Sequence, residues 1–309
     1  MYKSLQIEPT NKCNLKCGVC WHTLNPVEND GFLDFDLFKD IVGQFAEMED
    51  LNLQGLGEPF LAPDLLKMIA YARDKKIAVW LASNLNTDMD EEFARQVVDS
   101  GLAKIRISID AANQRDYVSI KKGGDFKKVI ANIRLVSKAK KECASSLPVL
   151  VFNTIAMKRN IRDIENILRL AHELDIGEVA LIPLVVFDKG IAVQEESLSN
   201  NIALVAKYIG EIHRTAEELG VKLEEGISAM RHPGEMGLKG EAKTKCRRSC
   251  YVDYSGNLYP CCNVKYHFGC FGNEGLEGML KGHRFRFFQE NILARNLDCQ
   301  SCMRILNKD

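Results

Sequence analysis

The sequence predicts an α/β fold: a parallel sheet wound as a partial (β/α)6 barrel of the TIM type, followed by a small cysteine-rich C-terminal domain. Three observations support this prediction. Short apolar runs alternate with amphipathic helical patterns from residue 3 to about residue 183. Six such units follow one another at roughly 30 residues each, and the cysteines lie mainly near the two ends of the chain. Six units are too few to close an eight-stranded barrel, so we expect an open one.

Each predicted strand is short, and several are apolar along nearly their whole length, as expected for strands covered on both faces. The loops that follow the carboxyl ends of parallel strands form the functional site in such folds. We therefore look for functional residues just after each strand. The six strand candidates are Lys3–Glu8, Leu51–Gln54, Ile77–Ala82, Lys104–Ile109, Val149–Ala156 and Glu178–Ile182.

Helical patterns occupy the intervals between these strands. Asp34 is a favourable N-cap for a helix over Phe35–Glu47, where apolar residues recur at helical spacing. Pro63-Asp64 is typical of the start of the next helix. Three further helices are predicted over Asp88–Ser100, Asp125–Lys140 and Asn160–Leu174.

The order of these patterns predicts three regions: a barrel over residues 1–190, a connection over 191–240 and a cysteine-rich domain over 241–309. Within the connection, Leu198–Leu219 is predicted to be a helix and Val221–Glu225 a short strand, while the Gly- and Pro-rich segment 231–240 predicts a loop. In the C-terminal domain, Ser255-Gly256-Asn257 predicts a hairpin turn.

Composition and charge narrow the possible functions. A 46% apolar fraction and 27% charged residues are ordinary for a globular protein. The net charge of −1 gives no basic field that would attract nucleic acid or an anionic membrane, and small basic runs such as Lys121-Lys122 are expected to be solvated.

The longest apolar stretch, Leu147–Ala156, is interrupted by polar residues and is shorter than the roughly 20 residues of a spanning helix. The N-terminus lacks the apolar core of a secretory signal, so we expect a cytoplasmic protein.

The eleven cysteines point to metal chemistry. Three lie between positions 13 and 20, seven follow position 245, and Cys143 lies alone between them, where we expect inert packing. In a reducing compartment, clustered cysteines indicate metal binding or catalysis rather than disulfides. Three thiolates with the spacing C-x3-C-x2-C can ligate three irons of a 4Fe–4S cube and leave the fourth iron open. Zinc, with His22 as a fourth ligand, is the alternative that this spacing leaves open.

Together with three further motifs, this segment resembles the radical S-adenosylmethionine superfamily, and the resemblance covers nearly the whole chain. TNKCNLKCGVC follows the first predicted strand, and GLGEP (Gly55–Pro59) follows the second and is similar to the family's GGE-type motif. Leu81-Ala82-Ser83-Asn84 ends the third strand, where many members carry a TNG-like sequence. IRISID, residues 105–110, is similar to the fourth-strand signature. The order of the motifs at successive strand ends carries the resemblance.

The resemblance implies that Cys13, Cys17 and Cys20 hold the cluster that binds S-adenosylmethionine. It further implies that the GGE-type motif holds the amino group of that cofactor and that Ser108 faces its methionine or ribose part. At Val19 the family usually has an aromatic residue near the adenine, so here Trp21 could cover the ring or act as an ordinary buried anchor. The cofactor-binding residues implied in this way are Gly55, Gly57, Glu58, Pro59, Ser83, Asn84, Ser108, Asp110 and Val19.

The C-terminal cysteines resemble the SPASM and twitch extensions of this superfamily. A C-x9-G-x4-C pattern from Cys246 to Cys261 is followed by a C-x2-C pair, Cys299 and Cys302. The resemblance implies a truncated, twitch-like domain in which these four cysteines hold one auxiliary 4Fe–4S cluster. Several alternatives stay open: Cys250 in place of Cys246, Cys262 in place of Cys261, Cys270 as a spare or a ligand, an auxiliary cluster with an open iron, and a structural zinc site.

The function implied by the resemblance is reductive cleavage of S-adenosylmethionine to a 5′-deoxyadenosyl radical that removes hydrogen from a substrate carbon. An auxiliary cluster that accepts an electron favours oxidation, dehydrogenation or bond formation on a peptide or small molecule, with an electron donor such as flavodoxin or ferredoxin. A radical enzyme for group transfer or methylation and a non-enzymatic, zinc-stabilised binding protein are the alternatives. Peptide-modifying members often carry an N-terminal leader-binding domain, and because this chain begins at the first strand we expect any such domain on a separate protein.

Overall fold

The computed structural model describes residues 4–26, 29–45, 48–184, 186, 191–227, 249–262, 264–294 and 306. Its strands form one sheet of ten strands. They are β1 (Ser4–Ile7), β2 (Asp50–Leu53), β3 (Ala78–Ser83), β4 (Lys104–Ser108), β5 (Val149–Ala156), β6 (Glu178–Pro183), β7 (Lys222–Glu225), β8 (Ser249–Val252), β9 (Asn257–Tyr259) and β10 (Gly269–Cys270).

The spatial order of the strands is β10-β9-β8-β1-β2-β3-β4-β5-β6-β7. From β1 to β7 every neighbouring pair is parallel and follows the order of the sequence. Within the described residues, β7 and β10 are edges that do not meet, so the predicted partial barrel is confirmed. All six predicted strands are present, with ends that differ by one residue at most where the structure describes them.

The barrel contains one strand more than predicted. The segment interpreted as a connection places β7 parallel to β6, with Glu178 opposite Lys222. The long helix before β7 explains this arrangement, because its buried residues Val205, Ile209 and Ile212 pack the chain back onto the sheet. The connection therefore extends the barrel instead of merely leaving it.

Helices cover the outer face of the sheet. The α-helices are α1 (Trp21–Leu24), α2 (Phe35–Gly43), α3 (Leu65–Asp74), α4 (Glu91–Asp99), α5 (Gln114–Ile120), α6 (Phe126–Glu142), α7 (Ile164–Glu173), α8 (Ile191–Glu196), α9 (Ile202–Glu218), α10 (Phe271–Lys281) and α11 (His283–Phe288). Asp34, Asp90, Asn113 and Asp125 cap α2, α4, α5 and α6 by accepting hydrogen bonds from backbone N–H groups of the first turn. No helix in the described part of the chain has the length and apolar character needed to cross a membrane.

The two faces of the sheet differ in polarity because successive side chains of a strand point to opposite sides. Leu5, Leu51 and Val79 lie in register and are buried in the apolar core. On the opposite face, Arg106 of β4 pairs with Glu224 of β7, with 3.0 Å between Nη2 and Oε2. Since β5 and β6 separate these strands, the pair spans the concave face. The interior of the barrel is therefore polar.

The C-terminal residues form the predicted hairpin. Strands β8 and β9 are antiparallel, with Tyr251 opposite Tyr259. The turn is closed by Asp253, whose carboxylate accepts hydrogen bonds from the N–H groups of Ser255 and Asn257. Gly256 occupies the left-handed region at a φ of 88°, which glycine adopts without strain. Strand β8 also lies parallel to β1, a pairing that the sequence did not indicate.

Candidate active site

The first cysteine segment is a loop that leaves the carboxyl end of β1. The N–H of Cys20 donates to the carbonyl of Cys17 over 3.1 Å, and the N–H of Lys16 donates to the carbonyl of Lys122 over 2.9 Å. Cys13, Cys17 and Cys20 are each partly buried, and their thiols interact electrostatically with one another. The structure thus brings the three predicted ligands together at the expected end of the barrel.

Burial affects the protonation of two of these thiols. Desolvation raises the pKa of Cys17 to about 11, although the positive charge of Lys121 opposes the shift. Desolvation also raises the pKa of Cys13. These two thiols are therefore protonated at neutral pH when free, and iron that binds them must displace their protons.

The donor set of three thiols on one loop is of the ligand type that holds iron–sulfur clusters. Within the described residues, no group of three or more His, Cys, Asp or Glu side chains is arranged to hold one ion. A zinc ion needs all its ligands around one point, whereas a 4Fe–4S cube binds each thiolate through a different iron. His22 is buried, its Nδ1 has no hydrogen-bond partner, and burial lowers its pKa.

The GLGEP segment packs directly against the cysteine loop. The N–H of Glu58 donates to the carbonyl of Lys12 over 2.7 Å. A Cβ atom at Gly57 would overlap the backbone carbonyl oxygens of Thr10 and Lys12, and one at Gly55 would overlap the carboxylate of Glu8. Both glycines of this motif are therefore required for the close approach of the two loops.

Glu58 joins the loop after β2 to the end of β3. Its Oε1 accepts from the hydroxyl of Ser83 over 2.6 Å and from the N–H of Phe60 over 3.2 Å, and its Oε2 accepts from the N–H of Asn84 over 2.7 Å. Pro59 begins a 3₁₀ turn, Pro59–Leu61, directly after it. Glu58 is fully buried, which raises its pKa. Through these hydrogen bonds its carboxylate fixes the loop after β2 to the end of β3.

Asn84 connects the third strand end to the cysteine loop. Its Nδ2 donates to Oδ1 of Asn14 over 2.9 Å and lies 3.9 Å from the sulfur of Cys13. Glu58, Ser83, Asn84 and Cys13 consequently form one continuous network. Three motifs that are far apart in the sequence meet in it.

Ser108 and Asp110, at the end of the fourth strand, differ in their burial and in their hydrogen-bond partners. Ser108 is half-buried and lies in register with Asn153 of β5. Asp110 is buried, and both of its carboxylate oxygens have partners: Oδ1 accepts from the N–H of Ile155 over 2.7 Å, and Oδ2 pairs with Nζ of Lys121 over 2.9 Å. Val19 is partly buried against the apolar core.

Lys121 corrects one expectation from the sequence. The Lys121-Lys122 pair was expected to be solvated, but only Lys122 is exposed, whereas Lys121 is buried. The pair directly follows a short helix, α5, whose C-cap is Lys121. Burial by itself lowers the pKa of Lys121, but the proximity of Asp110 and Cys17 outweighs this effect and raises it, so its side chain is a buried cation.

Two further residues lie beside these motifs, of which Gln54 was not predicted. The side-chain oxygens Oε1 of Gln54 and Oδ1 of Asn153 are buried and have no hydrogen-bond partner. Gln54 directly precedes GLGEP, and Asn153 neighbours Ser108. Buried polar atoms without partners are rare in folded proteins, so these oxygens suit donor groups of a bound molecule, such as the ammonium of S-adenosylmethionine. The signal in the sequence was a polar residue at an inward position of an otherwise apolar strand.

The C-terminal cysteines differ in their surroundings. Cys250 lies opposite Leu5 in the apolar core, where burial raises its pKa, and this position argues against it as a ligand. Cys262 lies beside Gln6, and both Cys262 and Cys261 are partly buried. The sulfur of Cys270 lies 3.6 Å from the carbonyl of Ser255, at the turn, so β9 separates it from Cys261. The predicted ligands Cys246, Cys299 and Cys302 lie outside the described residues.

The hairpin contacts the barrel beside the cysteine loop. Glu8, which directly follows β1, accepts a hydrogen bond from the N–H of Leu56, and its side chain is hydrogen-bonded to that of Tyr251. The hydroxyl of Tyr254 donates to the carbonyl of Asn29 over 3.0 Å. Burial raises the pKa of Glu8. The C-terminal domain therefore reaches the edge of the candidate site.

Comparisons with curated proteins gave relatives with several activities. The chain is 31% identical over 183 residues to a probable GTP 3′,8-cyclase of Methanocaldococcus jannaschii, which is 58% of each chain. It is 28% identical over 191 residues to the Fe-coproporphyrin III synthase of Methanosarcina barkeri, covering 62% of this chain and 46% of that protein. The chain thus spans about half of the length of these curated relatives.

Comparisons with solved structures show the same fold. Native anSMEcpe with bound AdoMet superposes with a TM-score of 0.70 at 19% identity, over 92% of this chain and 82% of that chain. Streptococcus suis SuiB bound to its precursor peptide SuiA superposes with a TM-score of 0.69 at 14% identity, over 95% of this chain and 66% of that chain.

Family models account for both ends of the sequence. The model of the radical SAM superfamily matches residues 7–179, which is more than half of the chain, and the SPASM model, an iron–sulfur cluster-binding domain, matches residues 245–303. The resemblance found in the motifs is thereby confirmed. The protein belongs to the radical SAM superfamily, with S-adenosylmethionine, a 4Fe–4S cluster and an auxiliary iron–sulfur cluster as its cofactors.

Proposed function

We propose that Cys13, Cys17 and Cys20 ligate the S-adenosylmethionine-binding cluster of an enzyme that oxidises a polar substrate, or forms a bond within it, with the auxiliary cluster as electron acceptor. The observation that carries this proposal is the hydrogen-bonded network from Glu58 through Ser83 and Asn84 to Cys13. It assembles three strand ends around the three thiols. A binding protein has no need of such an arrangement.

The residues around the thiols divide into two roles. When bound, the cofactors supply an electron for cleavage of S-adenosylmethionine and a carbon radical that removes hydrogen from the substrate. Gln54, Ser108 and Val19 have side chains available for contact with S-adenosylmethionine, and Gly55, Gly57 and Pro59 shape the loop against it. Glu58, Ser83, Asn84 and Asp110 act through the protein, because their polar groups are bonded to neighbouring residues.

The concave face of the barrel favours a polar substrate. Asn52 is 5% exposed, and its Oδ1 has no hydrogen-bond partner. The guanidinium of Arg106 lies 5.5 Å from the ring centre of Trp80 and pairs with Glu224. An amide oxygen that lacks a donor, beside a cation and an aromatic ring, suits a ligand rich in N–H groups, such as a peptide segment. The peptide bound in the similar SuiB structure supports the same choice.

Ring closure on a nucleotide is the second candidate. It is favoured by the 31% identity to a probable GTP 3′,8-cyclase. Radical-mediated bond formation would serve either substrate. The two candidates therefore differ in the molecule that enters the barrel, and substrate assays separate them.

The first test concerns the two clusters. The full-length protein is reconstituted anaerobically, and we expect about eight irons per chain from two four-iron clusters. After reduction, the protein should release methionine and 5′-deoxyadenosine from S-adenosylmethionine. Replacement of Cys13, Cys17 or Cys20 by Ala should abolish this release, whereas Cys143→Ala should retain it. Release that persists in the three variants would contradict the proposed ligands.

The second test concerns the auxiliary cluster and the substrate. Cys299→Ala and Cys302→Ala should still cleave S-adenosylmethionine but form no product, and full turnover in either variant would contradict the electron-acceptor role. Peptides and GTP are then supplied separately to the reduced enzyme. Loss of two hydrogens from a peptide, measured by mass spectrometry, supports the first candidate. Consumption of GTP supports the second.

A further inference from the structure

A buried ion pair lies directly behind the cysteine loop. The Nζ of Lys121 is 2.9 Å from Oδ2 of Asp110, and the two side chains are 11% and 2% exposed. The second carboxylate oxygen of Asp110 accepts from the N–H of Ile155 over 2.7 Å. Because the carboxylate is fixed to β5 in this way, it also fixes the position of the ammonium.

The backbone holds Lys121 close to the cysteines. The carbonyl of the next residue, Lys122, accepts a hydrogen bond from the N–H of Lys16, which precedes Cys17. A Cβ atom at Gly123 would lie 3.8 Å from the carbonyl oxygen of Asn14, so this turn and the cysteine loop are in contact. The charge of Lys121 acts on Cys17, Cys13 and Glu58.

The ammonium of Lys121 can donate more hydrogen bonds than its ion pair with Asp110 requires. It has three N–H donors, and among the residues that the structure describes Asp110 is its one ion-pair partner. A buried cation normally satisfies its remaining donors or faces negative charge. The groups on which its charge acts include the thiols of Cys13 and Cys17, and these become negative when they ligate iron.

We propose that Lys121, positioned by Asp110, supplies the positive charge that sets the reduction potential of the iron–sulfur cluster held by Cys13, Cys17 and Cys20. The inference rests on the ligands proposed above. One added electron makes such a cluster more negative, and a nearby fixed cation stabilises the reduced form more than the oxidised form. Lys121 is thus a positioning residue for electron entry, and Asp110 acts through it.

The test is a redox titration of the full-length, reconstituted protein without S-adenosylmethionine, followed by EPR spectroscopy. The signal of this cluster is identified as the one that changes when S-adenosylmethionine is added. We expect Lys121→Met to shift its midpoint potential to a more negative value, and Lys121→Arg, which keeps the charge, to stay near the wild-type value. Lys122→Met, at the exposed neighbour, should leave the potential unchanged.

Two results would overturn the proposal. One is an unchanged midpoint potential in Lys121→Met with a full iron content. The other is an unchanged potential combined with weaker binding of S-adenosylmethionine, which would make Lys121 a contact for that cofactor instead. Should the Met variant fail to fold, Lys121→Gln keeps a hydrogen-bond donor for Asp110 and is titrated in its place.

A further variant separates this inference from the proposed ligands. Cys13→Ala should lose the EPR signal that responds to S-adenosylmethionine. If the signal remains, the ligand assignment fails. If it is lost while Lys121→Met and Lys121→Gln keep the wild-type potential, the ligands stand and the role of Lys121 fails.

Discussion

The hydroxyl of Ser83 donates a hydrogen bond of 2.6 Å to the carboxylate of Glu58, and both side chains are buried. Glu58 lies in the loop after β2 and Ser83 is the last residue of β3, so this single contact fixes the position of that loop relative to the end of β3. The same carboxylate also accepts from two backbone N–H groups. Glu58 of the GLGEP motif thus has hydrogen-bond partners within the protein for both of its carboxylate oxygens.

Glu58→Gln should therefore destabilise the protein. The amide offers one acceptor oxygen where the carboxylate uses two, so at least one buried donor loses its partner. We expect the free energy of unfolding to fall by about 1–3 kcal/mol, measured by urea denaturation of the metal-free protein. Glu173→Gln, at an exposed position at the end of α7, is the control and should change little. Equal stability of the two variants would contradict the role of Glu58 as a support.

Gly57→Ala should separate the two loops that form the site. The new methyl group would overlap two backbone carbonyl oxygens, which cannot rotate away. We expect a loss of about 1–3 kcal/mol in unfolding free energy and a lower iron content after reconstitution. Gly210→Ala, in α9 with open space around it, is the matched control. It should gain about 0.5–1 kcal/mol because alanine favours the helix. A full iron content in Gly57→Ala would show that the loops need not touch.

Glu8 should make stability depend on pH. Burial raises the pKa of Glu8 above its ordinary value of 4.5, so the folded protein holds this proton to a higher pH than the unfolded chain does. The contribution of Glu8 to stability is then fully present at low pH and declines as pH rises from the ordinary pKa through the raised one. Glu8→Gln has no such titration.

The difference in unfolding free energy between wild type and Glu8→Gln isolates this effect from that of Glu58. As the pH is raised from about 4 to about 8, the unfolding free energy of Glu8→Gln should increase relative to that of the wild type. The measurement is the urea midpoint of both proteins across this range. A difference that stays constant would show that Glu8 has the same pKa in the folded and unfolded states.

Cys250 and Cys261 should respond differently to replacement by Ala. Cys250 lies in the apolar core, so Cys250→Ala should lower stability by about 1 kcal/mol through lost packing and leave the iron content unchanged. Cys261→Ala should lose about four irons per chain, those of the auxiliary cluster. Iron analysis of both reconstituted variants decides between them. Retention of all iron in Cys261→Ala would transfer the ligand role to the adjacent Cys262.

The strands of the barrel could be predicted from the sequence because each has apolar residues that pack into the core, as Ile105 and Ile107 of β4 do. Helix starts could be predicted where an aspartate caps the first turn, as at Asp34 and Asp125. Helix α5 was not predicted because it is short and mostly polar. Lys121 is the C-cap of this helix, so a prediction without the helix could not show that Lys121 is buried.

Contacts between distant segments could not be predicted in the same way. Strand β8 has no local feature that selects β1 as its partner, and the pairing depends on the shape of the whole sheet. The unpartnered oxygens of Gln54 and Asn153 likewise become meaningful only when the inward face of each strand is known. Of the site, the sequence indicated the three thiols and the motif positions. The roles of Glu58 and Asp110 could be inferred only once the structure showed which groups their carboxylates contact.

The pairing of β8 with β1 has a consequence for biosynthesis. Strand β1 begins at Ser4, and β8 begins at Ser249, so one side of β1 stays without its hydrogen-bonding partner until most of the chain has left the ribosome. The cysteine loop grows directly from that strand. Iron delivered to the nascent chain would therefore reach a cysteine loop whose preceding strand, β1, is paired on one side only. We expect the cluster to be inserted after the polypeptide is complete.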